Sequence, residues 1–305
     1  NEVGYFVFKT LENTKALMAA AEKAKSAVVL GGGLVGMETA SGLIKRGLKV
    51  TVVEKEVRIL PLYFDQEASE LIKMIYVDNG VRLITGQEAI EVIPEKGDRR
   101  LSLRLSGGEK LATELLVVAV GMAANLGLVK DSGIEVNRGI LVDENMRTNF
   151  PDIYAGGDVA EAKDFFGQGK VINAILPDAV AQGRVAGINL AGGEARYAGA
   201  ISFNIFNFFE RSAFSCGLAL AEGPEYKQVK RARPRKERYR RLVFKDGKLV
   251  GATLINEAID PGIILHLIRN RVDLSEIMAG LEADLLNFGR YAMIKSETPD
   301  LPQGI

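Results

Sequence analysis

Apolar residues in this chain cluster into short uninterrupted runs of strand length, separated by longer stretches with helical spacing. Val3 to Phe8 reads as a strand or extended linker, and Thr10 is a good N-cap for an Ala-rich helix to about Lys25, with Glu12 in its first turn. Ser26–Leu30 is a short apolar strand, Gly31 to Gly36 a turn, Met37 to Arg46 a helix ended by Gly47, and Lys49–Glu54 a second buried strand. This is a βαβ unit, whose parallel strands require a right-handed crossover. A further helix fits Gln66 to Asn79, ended by Gly80, and Val81 to Gly86 reads as a strand. Ala89–Ile93 and Leu101–Leu105 pair as antiparallel strands around the polar turn Pro94 to Arg100. Leu115–Val120 is a central strand stopped by Gly121.

The pattern changes from Met122. Gly139–Val142 and Ile153–Ala155 read as short strands, and Ala179–Leu190 as an amphipathic helix closed by Gly192-Gly193. After Ala200 come an aromatic-rich stretch, Ile201 to Phe209, a basic run, and a hairpin of Tyr239–Lys245 and Lys248–Ile255 whose Asp246-Gly247 suits a tight turn. Helices follow at Pro261–Arg269 and about Leu274 to Leu281. The expected architecture is α/β in three parts, residues 1–122, 123–199 and 200–305.

Composition narrows the chemistry. Across 305 residues, 39 basic side chains balance 39 acidic ones, which excludes a polyanion binder driven by bulk charge and predicts no nucleic-acid partner. One Cys and one His exclude a disulfide framework, an internal CxxC pair and a typical zinc site, so no metal is expected. Ser-His-Asp or Cys-His catalysis would rest on His266 alone, and His266 sits in an apolar helix where a packing or surface role is expected. Cys216, flanked by Phe214 and Gly217, reads as a small core residue. An enzyme so composed is expected to leave its chemistry to an organic cofactor. No apolar run reaches the ~18 residues of a membrane span and no secretory signal opens the chain, so a cytoplasmic location is expected. The chain begins at Asn1, which suggests an upstream segment.

The 33 glycines acquire meaning at Gly31-x-Gly33-x-x-Gly36, placed between a strand and a helix. In that setting the first glycine permits a tight turn, the second lets backbone approach a pyrophosphate, and the third lets helix pack on strand. The helix start then offers free N–H groups to the phosphates. Glu54 ends the next strand, where a carboxylate accepts from ribose hydroxyls and repels a 2′-phosphate; NAD(H) is thus favoured over NADP(H), with Lys55 and Arg58 softening the preference.

Val28 to Glu38 resembles the nicotinamide-binding fingerprint of the FAD-dependent pyridine nucleotide-disulfide oxidoreductases, and Thr148 to Asp158 is similar to that family's second flavin motif, a strand ending in Gly-Asp. The order of motifs resembles the branch with NADH:rubredoxin reductase, NADH oxidase and the nitrite reductase large subunit. The resemblance implies a Rossmann-like NAD(H)-binding domain with a leading linker helix at 1–122, the second half of an FAD-binding domain at 123–199 and an α+β C-terminal interface domain, used for homodimerisation, at 200–305. It implies that Glu38 lies near the nicotinamide carboxamide and the flavin as the catalytic position, that Val35 lines the dinucleotide, and that Gly121 passes the nicotinamide. Tyr63 occupies a dinucleotide-lining position and equally suits half-exposed packing. Gly157 and Asp158 would meet the flavin ribityl chain, and Ala174, Ile175 and Leu176 the flavin pyrimidine.

The family's first flavin segment and its redox-active cysteines have no counterpart in these residues, which predicts poor FAD binding by this chain alone. The expected reaction in the intact protein is hydride transfer from NADH to flavin and onward to a rubredoxin-like protein, oxygen or a nitrite-reducing centre. The alternative is a non-catalytic, redox-sensing NAD module without flavin. The run Lys227 to Arg241 holds nine basic residues and one Glu; it suits a solvated strand edge, or a docking patch for an acidic electron-transfer protein. Phe203 to Phe209 suits either a dimer interface or a core.

Overall fold

The computed structural model describes residues 5–95, 100–167, 169–257 and 260–275. The chain forms two compact units, Asn1–Gly121 with Asn204–Ile305, and Met122–Phe203. Residues 1–121 and 204–305, which the sequence divides into separate parts, fall in one unit.

The first unit opens with β1 (Tyr5–Val7), α1 (Leu11–Ala21), β2 (Ser26–Leu30), α2 (Leu34–Ile44), β3 (Lys49–Glu54), α3 (Gln66–Asp78) and β4 (Arg82–Thr85). It continues through β5 (Ala89–Pro94), β6 (Leu101–Leu105), β7 (Lys110–Thr113) and β8 (Leu115–Val118). Thr10 caps α1 as predicted: its hydroxyl accepts from the Asn13 N–H at 3.1 Å while Asn13 Oδ1 accepts from the Thr10 N–H at 3.2 Å. The helix stops before Lys25, whose N–H donates to the Glu114 carboxylate at 2.9 Å and is thereby drawn into the approach to β2.

The parallel sheet has the order β1-β8-β2-β3-β4. The chain winds outward from β2 in one direction and returns on its other side with β8. That reversal leaves a crevice at the carboxyl ends of β2 and β8, the place where open α/β sheets bind ligands. A second sheet, β5-β6-β7, includes a strand, β7, that carried no clear sequence signal.

The smaller unit holds β9 (Ile140–Leu141), β10 (Ala160–Lys163), β11 (Lys170–Val171) and α4 (Leu176–Leu190). The strand predicted at Ile153–Ala155 does not form; a single bridge joins Tyr154 to Arg147, because Pro151 and Gly156 bracket a segment too short to build a ladder. Helix α4 starts three residues ahead of the expected Ala179, with Pro177 in its first turn, where its missing N–H has no helical partner to lose.

The first unit resumes with β12 (Phe203–Phe208), β13 (Arg211–Gly217), β14 (Lys227–Arg233), β15 (Arg238–Lys245), β16 (Lys248–Ile255) and α5 (Pro261–Arg269). These strands form an antiparallel sheet of order β12-β13-β16-β15-β14. The predicted hairpin is present, with Asp246 and Gly247 both at positive φ (50° and 73°). The helix expected beyond Leu274 lies, from residue 276, outside the described residues.

Packing decides the role of the aromatic run. Phe206, Phe208 and Phe209 are buried around Tyr76 of α3, with Tyr76 ring centroids 6.3, 5.5 and 5.0 Å from theirs. The Tyr76 hydroxyl donates to the Met37 carbonyl of α2 at 2.9 Å, and burial pushes its ionisation far above the usual tyrosine range. The run is therefore core, joining the antiparallel sheet to α2 and α3.

A polar contact makes the same junction nearby. Asp65 caps α3 by accepting from the Ala68 N–H at 2.9 Å. Its Oδ2 accepts from the Tyr239 hydroxyl and, at 3.1 Å, from Arg241, which is only 2% exposed. The basic run is thus not a uniform solvated face, since Arg240 and Arg241 are buried while β14 does lie at the sheet edge. Burial alone would raise the Asp65 carboxyl, but the Tyr239 hydroxyl, the Ala68 N–H, Lys230 and Arg241 together hold it below the usual carboxylate range. A depressed folded-state value stabilises the fold above the unfolded value and is lost as pH falls through the folded one. Asp65→Asn is expected to destabilise by about 3 kcal/mol at neutral pH, since it strands the buried Arg241 charge. Urea unfolding should show that deficit shrinking as pH drops below about 4, where the unfolded carboxylate takes up its proton, and closing only at lower pH, where the folded carboxylate does so too.

Candidate functional site

The crevice at β2 and β8 is lined by the glycine turn. Gly31 has φ 104°, and a methyl added there would overlap the Ala119 carbonyl beyond β8; Gly36 is buried, and a methyl there would overlap the Gly31 carbonyl oxygen. Gly33 differs, because a methyl on it would meet nothing within 4 Å. Two glycines are therefore required by protein packing, and the third faces open space. Gly33 is the N-cap of α2 and supplies no side-chain cap, so the first N–H groups of the helix are left for whatever enters that space.

Glu54, at the end of β3, closes one side of the crevice. Its Oε2 accepts from the Gly32 N–H, and its Oε1 from the Glu56 N–H at 2.8 Å. A carboxylate has about four acceptor positions, so each oxygen keeps one for a further donor. Gly121, at φ 106°, follows β8 two residues after Ala119, whose carbonyl lies against Gly31. Val35 is exposed on the first turn of α2, and Tyr63 is half-buried and packs against the core. Glu38, a turn further along α2, is accessible, yet its surroundings desolvate the carboxyl enough to raise it above the usual range, an effect that the Asn207 N–H from β12 partly offsets. The contribution of Asn207 has no signal in the local sequence, because it depends on the fold-back of a strand from the far end of the chain.

In the smaller unit, Gly157 adopts φ 82° and its open side lies 3.7 Å from Ala179. The turn Gly156–Asp158 therefore rests on the start of α4, with Asp158 exposed. The buried Gln182 accepts from the Gly157 N–H at 2.7 Å and pins that turn, a role that sequence reasoning missed. Ala174 and Ile175 precede the helix, Ile175 gives it no side-chain cap, and Leu176 is 77% exposed. Asn173 donates both to Asp178 and, at 3.1 Å, to the Ile201 carbonyl, holding this entry segment in place.

Cys216 is buried and its thiol is pushed up to about 12 by burial, which suits core packing and leaves little thiolate for redox chemistry. His266 is a surface residue, its Nδ1 3.1 Å from the Asn270 amide. Among the described residues no helix is long and apolar enough to cross a membrane.

Residues 1–183 match the sequence profile of the pyridine nucleotide-disulphide oxidoreductases. The chain belongs to this family. Residues 203–272 match the profile of the rubredoxin NAD+ reductase C-terminal domain. Over 295 residues the chain is 39% identical to the NADH-dependent phenylglyoxylate dehydrogenase subunit epsilon of Aromatoleum evansii, covering 95% of this chain and 69% of that one. It is 39% identical over 175 residues to rubredoxin-NAD(+) reductase of Alcanivorax borkumensis, covering 57% of this chain and 44% of that one. A ferredoxin reductase for the CYP199A2 system of Rhodopseudomonas palustris has the same fold, with TM-score 0.81 and 26% identity over 93% of this chain and 69% of that one.

Members of the pyridine nucleotide-disulphide oxidoreductase family are FAD- and NAD(P)H-dependent oxidoreductases, and this chain is of that class. The residues present fit such groups. The open face of Gly33, the uncapped start of α2 and the spare acceptor positions of Glu54 suit a dinucleotide; the exposed Asp158 against the uncapped start of α4 suits part of a flavin.

The two kinds of glycine make opposite predictions. Gly36→Ala forces overlap with backbone and is expected to lower stability by about 1–3 kcal/mol, read as a fall in the denaturation midpoint. Gly33→Ala should leave that midpoint nearly unchanged while weakening NADH binding in a fluorescence titration.

Proposed function

We propose that the intact protein oxidises NADH and delivers its electrons through FAD to an acceptor protein, with NADH bound on the Gly31–Gly36 turn. The observation that carries this reading is the Glu54 carboxylate folded onto the Gly32 N–H with one acceptor position free on each oxygen. Two adjacent ribose hydroxyls can donate to those positions, whereas a 2′-phosphate would face a carboxylate already fixed in place. The turn and the start of α2 supply N–H groups to the pyrophosphate. Val35 and Tyr63 flank the dinucleotide, Gly121 leaves room for the nicotinamide, and Glu38 holds the carboxamide in register. In the smaller unit Gly157 and Asp158 receive the ribityl chain, and Ala174 to Leu176 with the α4 N-terminus face the pyrimidine, where positive helix potential favours negative charge. When bound, NADH supplies a hydride and FAD accepts it. The protein's own contribution is alignment, exclusion of water and these local fields.

The acceptor side of the reading rests on the exposed part of the basic run. Lys230 is taken up by Asp65 and Glu67, Arg240 and Arg241 are buried, and of the six other basic residues Arg235, Lys236 and Arg238 are exposed together around the turn between β14 and β15. A cluster of that size steers an acidic electron-transfer protein. Homodimerisation through the last domain belongs to the same reading, with exposed Ile205 rather than buried Phe206 and Phe208 on the outward face of β12. A cytoplasmic location accords with a nicotinamide-dependent reaction.

Glu54→Ala is expected to weaken NADH binding about tenfold, on the scale of a lost hydrogen bond to a charged group, and to narrow the preference over NADPH. Titration of both nucleotides checks this, and unchanged affinities would refute the assignment. Charge reversal at Arg235 and Lys236 should slow acceptor reduction at low salt, with the difference fading at high salt and NADH affinity unaffected.

A further inference from the structure

We infer that the C-terminal sheet sets NADH affinity from a distance, with Tyr239, Arg241 and Lys230 acting on Asp65 as positioning residues for the glycine turn. The inference rests on the reading that the Gly31–Gly36 turn and Glu54 hold NADH. Between Glu54 and Asp65 lies a ten-residue loop, 55–64, tied at both ends. Toward the crevice, the Leu60 N–H donates to the Gly32 carbonyl at 2.8 Å, on the same glycine whose N–H binds Glu54. Toward α3, Ser69 Oγ donates to the Ile59 carbonyl at 2.9 Å and the Ser69 N–H to the Asp65 carbonyl at 2.9 Å.

Leu60 has φ 52°, a left-handed conformation that an unconstrained leucine avoids, and it is fully buried together with Ile59 and Phe64. Such a conformation persists only where its surroundings over-determine it. One of those constraints is Asp65, which is itself gripped from the antiparallel sheet. Tyr239 and Arg241 of β15 both donate to Oδ2, and Lys230 of β14 bridges Oδ2 at 3.5 Å and Glu67 at 2.6 Å while lying 5.5 Å from the centre of the Tyr239 ring. A continuous bonded path therefore runs from β15 through Asp65, the first turn of α3, Ile59 and Leu60 to Gly32 and Glu54. The bonds of these sheet residues toward the glycine turn pass through Asp65, so their effect on NADH is through the loop.

The test uses the intact protein and the variants Tyr239→Phe, Lys230→Gln and Glu54→Ala, each titrated with NADH. Tyr239→Phe keeps the ring in the core and removes only the donor to Asp65. It is expected to raise the NADH dissociation constant about fivefold, within the range of couplings carried by bonded networks. KM for NADH should rise in step with kcat unchanged at saturation, and amide exchange at Leu60 and Phe64 should accelerate. Loss of packing alone would not produce that split. If Tyr239→Phe fails to fold, Lys230→Gln, altered at a half-exposed position, carries the test, with an expected weakening of about threefold. Unchanged affinity in the folded variant, alongside weakened binding in Glu54→Ala, overturns the inference and leaves the NADH site standing. Unchanged affinity in Glu54→Ala as well removes the site assignment on which it rests.

Discussion

Everything around the glycine turn depends on how closely α2 approaches the end of β2. Gly36 lies against the carbonyl of Gly31 with no room for a methyl, and Gly31 in turn lies against the carbonyl of Ala119. That double contact aims the axis of α2 into the crevice between β2 and β8, exposes its first N–H groups, and brings the end of β3 near enough for Glu54 to reach Gly32. A single side chain at either glycine would lift the helix away, and the carboxylate and the free N–H groups would no longer share one space. The openness at Gly33 is a consequence of the crowding at its neighbours.

A second constraint joins the first and last parts of the chain. Tyr76 stacks on Phe206 and Phe208 while bonding to the Met37 carbonyl, so one residue of α3 contacts α2 and the antiparallel sheet together. Aromatic pairs of this kind contribute about 0.5–1.5 kcal/mol each beyond burial. Asp65 adds a directional contact at the other end of the same helix. With α3 held at both ends, the loop that precedes it inherits a defined path, and the sheet that follows the smaller unit in sequence becomes part of the first unit in space.

Much of this was readable from the residues. The strands Ser26–Leu30 and Lys49–Glu54 fall within their predicted limits, because continuous apolar runs bounded by glycine and charge leave few other choices. Thr10, Gly36 and the Asp246-Gly247 turn act locally, through their own backbone and near neighbours in the chain, and such signals survive without a fold. The misses share a different cause. The strand at Ile153–Ala155 was read from composition, but a strand exists only with a partner, and Tyr154 finds a single bridge. Helix α4 began earlier than its apolar spacing implied because Pro177 starts a helix as readily as it ends one. The basic run was read as one surface, whereas β15 is buried along its whole interior and the acceptor at Asp65 takes up Arg241.

The sequence by itself determined the family, the class of chemistry and the glycine turn, because these rest on covalent geometry and short-range spacing: a missing Cβ, an uncapped helix start and an acid at the next strand end. Only the tertiary structure decided that the aromatic run is core, that the Asn207 N–H acts on the Glu38 carboxyl, that Gln182 pins Gly157, and that Arg241 is a buried partner of Asp65. Each of these joins residues far apart in the chain, up to 176 positions for Asp65 and Arg241, and the energy of such a contact arises only when other elements have already brought its two groups together and removed the water between them.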